Sequence, residues 1–146
     1  MNKIKLSVVL FFIILACDSK NFQFTKGERF FIDILFNKKN ELKKGKHIIF
    51  VLNQSQCTPC EEKVKQFYLQ KFSSAKKLFV VPFNRKPTQD EQENFVSVDH
   101  NTIAKCGLLR ANGAILLFVK NECKLIASID LQNLSDVNKK IKSILK

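Results

Sequence analysis

The chain has 146 residues, a formal net charge of +12, 45% hydrophobic residues and five cysteines. This length is enough for one domain with a real hydrophobic core, which excludes a large multidomain architecture. The positive charge would ordinarily point to a nucleic-acid partner, but the N-terminal residues argue against that class.

The first sixteen residues have the pattern of a bacterial lipoprotein signal peptide. Lys3 and Lys5 form a positive segment, and residues 7–15 form an apolar stretch too short to span a bilayer comfortably. The aliphatic and small residues before Cys17 resemble a lipobox, which predicts removal of residues 1–16 and diacylation of the Cys17 thiol. The alternatives are an uncleaved N-terminal anchor or an ordinary signal peptide followed by a chance cysteine.

Export has three consequences for the rest of the chain. Residues 17–28 would form a tether and residues 29–146 a domain outside the cytoplasm, held to the bacterial cell envelope by lipid. Nucleic acid is then not expected as a partner. Loss of Lys3 and Lys5 lowers the formal charge from +12 to +10. That charge could attract anionic lipid or acidic clients, or could simply be a solvated lysine surface.

Residues 57–60 carry the main chemical signal. The sequence Cys57-Thr58-Pro59-Cys60 follows an apolar run at 48–52 and precedes a helical pattern at 61–72. A thiol at a helix N-terminus is stabilised as a thiolate by backbone N–H groups and the helix dipole. Cys57 is therefore the predicted nucleophile, and Cys60, one turn deeper, the resolving thiol.

Periodicity predicts alternating strands and helices along the rest of the chain. The predicted strands are residues 29–36, 47–52, 78–83, 95–98, 114–119 and 125–129. The predicted helices are residues 61–72, 100–109 and 134–145, with loops at 37–46 and 84–94 and a hairpin turn at 120–123. This order predicts an α/β fold in which helices cover both faces of a mixed sheet.

Outside the dithiol, the domain contains two further cysteines. In an oxidising compartment the short spacing favours a bridge between Cys57 and Cys60. Cys106 and Cys123 could then form a second disulfide, or could be two buried free thiols.

The dithiol and a second block of sequence together resemble the thioredoxin superfamily. The dithiol matches the family's C-x-P-C form. Residues 98–101, 104–108 and 114–121 resemble its back half, in which an Asp-x-Asn turn and a short helix lead into an apolar strand ended by a Lys-Asn hairpin. The resemblance covers residues 47–146 and implies a thioredoxin-like three-layer sandwich.

The resemblance also implies a function. Members exchange disulfides with protein clients through the two cysteines, without a cofactor, and exported TlpA and ResA-like members also receive electrons from a membrane redox partner. The implied roles are nucleophile for Cys57 and resolving thiol for Cys60. The residues implied to line the client groove are Thr58, Pro59, Asn112, Gly113 and Ala114.

Three positions depart from the family pattern. Gly113 stands where the family usually has a cis-proline, Val51 where thioredoxin has a buried acid, and Gln56 where a tryptophan is common. These departures predict slow or partner-specific exchange rather than general reductase activity.

Other functions stay open beside the oxidoreductase. One alternative is a thioredoxin-like binding module whose bridge is only structural, and a second is a metal-binding dithiol. His47 and His100 do not lie at ligand spacing from the dithiol, which weighs against metal. A peroxidase is disfavoured because Cys57 directly precedes the Thr58-Pro59-Cys60 tripeptide.

Overall fold

A computed structural model of the chain describes residues 23–53, 58–109, 113–128 and 131–146. The predicted signal peptide and Cys17 lie outside the described residues, and so does Cys57. The helices are α1 (Lys26–Lys38), α2 (Thr58–Lys71), α3 (Gln89–Gln92), α4 (His100–Lys105) and α5 (Leu134–Leu145). The strands are β1 (Lys46–Val51), β2 (Lys76–Pro82), β3 (Phe95–Val98), β4 (Ala114–Val119) and β5 (Glu122–Ser128).

The five strands form one mixed sheet in the order β3-β2-β1-β4-β5. β1 is parallel to β2 and β2 to β3, whereas β4 runs antiparallel to both β1 and β5. Parallel neighbours need a crossover connection, and α2 provides it between β1 and β2. The mixed sheet predicted from the order of elements is confirmed.

The central strand β1 is buried on both faces, which explains its continuous apolar sequence. On one face, Ile49 and Val51 belong to a core cluster that also contains residues of α1 and α4. On the other, Ile48 and Phe50 belong to a cluster that contains residues of α2 and α5. Successive strand residues point to opposite faces, so helices cover both sides of the sheet, as predicted.

The predicted strand at residues 29–36 is wrong, because this segment belongs to helix α1. Its buried residues Phe31, Ile32 and Leu35 are one and four positions apart and line one side of the helix. A reciprocal cap starts the helix: the Glu28 N–H donates to Thr25 Oγ1 at 3.2 Å, and the Thr25 N–H donates to Glu28 Oε2 at 2.8 Å. The aromatic and β-branched residues of this segment favour a strand, but the N-terminal cap and the helical spacing of the buried residues outweigh that preference.

Two boundaries near the start of the domain shift as a result. The helix includes residues 26–28, which the sequence assigned to the tether, so the ordered domain begins before residue 29. The predicted loop at 37–46 contains the end of α1, a 3-10 turn at Asn40–Lys43 and the first residue of β1.

The other predicted elements are confirmed with small shifts. The strands predicted at 47–52, 78–83, 95–98, 114–119 and 125–129 correspond to β1 to β5, and the helices predicted at 61–72, 100–109 and 134–145 to α2, α4 and α5. The hairpin turn narrows to Lys120 and Asn121, with a left-handed φ of 57° at Lys120. In the part of the chain that the structure describes, none of the helices has the length and apolar character to cross a membrane.

Candidate functional site

Three elements meet at one edge of the sheet, where β1 ends. Val51, the last residue of β1, is paired with Val80 of β2 on one side and with Ala114 of β4 on the other. One residue later, the Leu52 N–H donates to the Val80 carbonyl at 3.0 Å. The chain then passes through residues 54–57 and enters α2 at Thr58. We call this edge the dithiol end of the molecule.

Cys60 lies in the first turn of α2, as the spacing predicts, and is half-buried. It is disulfide-bonded. Its partner is not among the described residues, because the two other described cysteines are free thiols. Pro59 is exposed beside it, and Thr58 is the first residue of the helix. The predicted nucleophile Cys57, the Thr58 side chain and the groove residue Asn112 lie outside the described residues.

Two of the predicted groove residues lie beside the end of β1. Gly113 is buried and has a φ of 108°, a conformation that suits a residue without a Cβ. The next residue, Ala114, is the β4 partner of Val51 and is 1% exposed. The structure therefore brings residues 113 and 114 to the same sheet edge as Cys60.

Position 51, where the resemblance implies a buried acid, is Val51, but a different buried acid follows Cys60. Val51 is fully buried and apolar, whereas Glu61 is 7% exposed. The Glu61 carboxylate accepts a hydrogen bond from the Asn53 backbone N–H and lies 3.0 Å from the Arg85 guanidinium. Burial raises the pKa of Glu61, Arg85 opposes that shift, and the nearby Glu91 carboxylate adds to it.

Glu61 lies close to both of the described segments that flank residues 54–57. Asn53 is the last described residue before residues 54–57, and Glu61 is in the first turn of the helix after them. The Glu61 carboxylate therefore lies near both the Asn53 backbone after β1 and Arg85 after β2. The sequence predicted only that Glu61 stands near the helix N-terminus, not that it is buried.

A buried network of charges extends from Glu61 along α2. Lys65 is 2% exposed, with its Nζ 2.7 Å from Glu62 and 3.2 Å from Glu91. Arg85 lies 3.1 Å from Glu91, which is fully buried. Desolvation lowers the pKa of Lys65, but the Glu62 and Glu91 carboxylates together raise it above its ordinary value. The network connects α2 to the segment between β2 and β3.

Sequence reasoning missed this network because residues 84–94 were predicted to be a loop. One local signal could have found part of it: Thr88 precedes Glu91 by three residues, the spacing of a helix cap. The Thr88 N–H donates to Glu91 Oε2 at 3.0 Å, which starts the short helix α3. The contact between Glu91 and Lys65 is tertiary and leaves no local pattern.

The second disulfide that the sequence left open is not formed, because Cys106 and Cys123 are both free thiols. Burial raises the pKa of Cys106, and burial raises the pKa of Cys123 to about 12. The Cys123 thiol also donates to the Leu125 carbonyl, with the sulfur 3.5 Å from the oxygen. Thiols that stay protonated are poor nucleophiles, so we assign both to packing.

The two histidines lie on different elements from Cys60. His47 is near the start of β1, at the opposite end of that strand, and His100 is the first residue of α4. Within the described ranges, no three side chains of the metal-ligating types His, Cys, Asp and Glu come together.

Acid is expected to destabilise the domain through His47. Its ring is fully buried, and neither ring nitrogen has a hydrogen-bond partner among the described residues. Burial lowers the pKa of His47; Glu41 opposes this shift and Lys76 adds to it. Below about pH 6.5, the ordinary histidine value, the unfolded chain therefore binds a proton that the folded chain resists. The stabilisation is complete above that pH and is lost as the pH falls through and below it.

Urea unfolding between pH 8 and pH 5 measures this effect. The parent protein should lose stability more steeply on acidification than His47→Leu. Parallel pH profiles for the parent and His47→Leu would contradict the assignment.

Comparisons of this chain with models of protein families, with curated proteins and with solved structures find no match.

Proposed function

We propose that this chain is a thiol–disulfide oxidoreductase of the thioredoxin type that exchanges disulfides with protein clients through Cys57 and Cys60. The observation that carries the proposal is the disulfide-bonded, half-buried Cys60 in the first turn of α2. That helix is the next element after the central strand in a parallel β1-α2-β2 unit. A helix N-terminus is one of the environments that stabilise the thiolate of a redox dithiol.

The fold we propose is the thioredoxin-like sandwich. Support comes from the mixed sheet with helices on both faces, the dithiol at the β1–α2 junction, and the β4–β5 hairpin followed by the terminal helix α5. The turn at Lys120 and Asn121 closes that hairpin, as the resemblance implies.

The proposed location is the bacterial cell envelope, with lipid on Cys17 holding the domain outside the cytoplasm. Support comes from the lysines, the short apolar stretch and the lipobox-like residues before Cys17. Two or more acyl chains give stable anchoring, unlike one. A membrane redox partner would then reach the dithiol without diffusing in three dimensions.

The proposed chemistry is an exchange of two electrons between two pairs of sulfurs. The Cys57 thiolate attacks a client disulfide, forming a mixed disulfide and releasing one client sulfur as a thiolate. The Cys60 thiolate then attacks the Cys57 sulfur, which releases the second client thiolate. The client is reduced and the Cys57–Cys60 pair is oxidised; in the reverse direction the pair donates its disulfide. Glu61 supplies a buried carboxyl close to this exchange, in place of the acid missing at position 51.

Trapping tests the proposal. In Cys60→Ala the first attack proceeds but the second has no nucleophile, so Cys57 should stay covalently linked to its clients. We expect non-reducing gels of cells that express this variant to show adducts that vanish with dithiothreitol. The double variant Cys57→Ala with Cys60→Ala should show none, and Cys123→Ala, with the dithiol intact, should behave like the parent. Equal adducts in the single and double variants would sink the proposal.

A binding module with a purely structural bridge is the second candidate. The fully buried, apolar Val51 and the glycine at position 113 favour it, because both remove features that the family uses in catalysis. The reduction potential separates the two candidates. A value below about −300 mV is typical of inert structural bridges and would support the module, whereas a higher potential supports the oxidoreductase.

A further inference from the structure

The end of the molecule opposite the dithiol gathers the termini of many elements. The Lys120 N–H, in the β4–β5 turn, donates to the Gly45 carbonyl before β1 at 2.6 Å. The Lys46 Nζ, at the start of β1, donates to the Leu145 carbonyl at the end of α5, also at 2.6 Å. His47 is paired with Lys76 at the start of β2. The Phe36 ring near the end of α1 packs edge-on against the Phe118 ring at 5.2 Å.

The exposed charged side chains at this end are mostly lysines. They follow or end the long helices, flank the starts of β1 and β2, and occupy the hairpin turn. The exposed lysines are Lys38, Lys43, Lys44, Lys46, Lys71, Lys76, Lys120, Lys142 and Lys146. We call this surface the lysine-rich end. The exposed acids close to it are Glu41, Glu93 and Glu122, and Glu122 is paired with Lys124.

Helix dipoles explain only part of this charge. The C-termini of α1, α2 and α5 carry partial negative charge and favour a cation in the last turn of each helix. Lys38, Lys71 and Lys142 meet that need. Lys44, Lys76 and Lys120 lie outside the helices, and Lys43 ends only the short 3-10 turn, so the dipoles of the long helices do not account for these four charges.

The dithiol end is organised in the opposite way. Lys65 and Arg85 are held there by Glu61, Glu62 and Glu91, so these cations are neutralised by contact. Lys63 and Lys86 stay exposed toward the dithiol end, but the larger group of exposed lysines lies at the end opposite Cys60.

We propose that the lysine-rich end docks onto an anionic lipid bilayer and holds the dithiol on the side away from the membrane. The proposal rests on the envelope location proposed above, not on the redox chemistry. Lysines close to an anionic bilayer surface each contribute about 1 kcal/mol, or about fivefold in binding. Several such lysines on one surface would orient a domain that the acyl chains already hold at the membrane.

A bilayer fits this surface better than an acidic protein does. Protein interfaces are organised around buried aromatic or aliphatic anchors. The large exposed apolar residues of the described chain are Phe30, Phe83 and Leu131. Phe83 follows the end of β2 and Leu131 follows β5, both at the dithiol end, and Phe30 is in the first half of α1. The lysine-rich end thus offers charge without an anchor, which is what lipid headgroups recognise.

The length of the tether permits this orientation. α1 begins at the dithiol end, where a Cβ on Gly27 would lie 3.0 Å from the Cys106 Cα, and runs about 20 Å toward the lysine-rich end. The eight residue steps from Cys17 to Thr25 span at most about 28 Å. A lipid on Cys17 can therefore enter the bilayer beside the lysine-rich end.

Lysine footprinting of the full chain in vesicles tests the proposal. The cell-produced protein is reconstituted into phosphatidylcholine vesicles with or without phosphatidylglycerol, then acetylated and analysed by mass spectrometry. In anionic vesicles we expect Lys44, Lys76 and Lys120 to react several-fold more slowly than in neutral vesicles, an effect that 0.5 M salt removes. Lys63 and Lys86, exposed toward the dithiol end, should not change.

Two charge-matched variants sharpen the test. Replacing Lys43, Lys44, Lys76 and Lys120 with glutamine should abolish the protection of Lys46. Replacing Lys26, Lys63, Lys86 and Lys105 with glutamine removes the same charge elsewhere and should leave that protection intact. Equal protection in neutral vesicles, or protection of Lys63 and Lys86 instead, would overturn the proposal. Because alkylating the dithiol should leave the footprint unchanged, a failure of the redox proposal is recognised separately.

Discussion

Replacing Glu91 with glutamine is expected to lower the free energy of unfolding by about 3 kcal/mol. Glu91 is fully buried and contacts both Lys65 and Arg85. Removing one partner of a buried ion pair leaves a charge uncompensated, which costs about 3–5 kcal/mol. The low end applies here, because Lys65 keeps Glu62 and Arg85 keeps Glu61. Urea unfolding at pH 7 measures the change.

A matched variant separates burial from charge. Glu62 contacts the same Lys65 but is 44% exposed, so Glu62→Gln should cost less than about 1 kcal/mol. Replacing Lys65 with methionine together with Glu91→Leu removes both buried charges, and this double variant should recover much of the stability lost in Glu91→Gln. If Glu91→Gln proves as mild as Glu62→Gln, the network does not hold α2 in place.

Local periodicity was sufficient for most of the fold. The continuous apolar run of β1 and the helical spacing in α2 and α5 each reflect burial against the sheet, and burial is what those patterns encode. The first helix was mispredicted because Phe31 and Ile32 have strand-favouring side chains, and β propensity depends strongly on context. The cap formed by Thr25 and Glu28 was visible in the sequence and would have corrected it.

In the candidate site, too, the features set by local sequence were predicted and those set by tertiary contacts were not. The position of Cys60 in the first turn of α2 follows from a short motif and from the elements on either side of it. The burial of Glu61 depends on Arg85, which is distant in the sequence, and that pairing follows from the arrangement of whole elements.

The environment of the free cysteines reinforces the assignment of roles. Cys106 and Cys123 have raised pKa values because they pack against the core. Cys60 is bonded and half-buried at a helix N-terminus. Burial thus keeps the Cys106 and Cys123 thiols protonated, whereas Cys60 is held in a disulfide.

Replacing Phe50 with alanine is expected to lower the free energy of unfolding by about 3–5 kcal/mol. Phe50 is fully buried in β1, stacks on Phe79 with ring centroids 5.3 Å apart, and contacts the Tyr68 ring of α2 at 6.0 Å. The cavity would lie between β1 and α2, so the substitution should weaken the packing that holds α2 on the sheet. Urea unfolding gives the change in stability, and faster alkylation of the reduced dithiol would report the loosening of α2.

The control for this variant lies near the end of the neighbouring strand. Phe83, just after β2, is 66% exposed. Phe83→Ala removes a side chain of the same size from the surface instead of the core, so it should change stability by no more than about 0.5 kcal/mol. A Phe50→Ala cost close to that of Phe83→Ala would mean that the aromatic cluster beneath α2 does not support the dithiol helix. A large cost without faster alkylation would mean that the charged network around Lys65 is enough to hold α2 on the sheet.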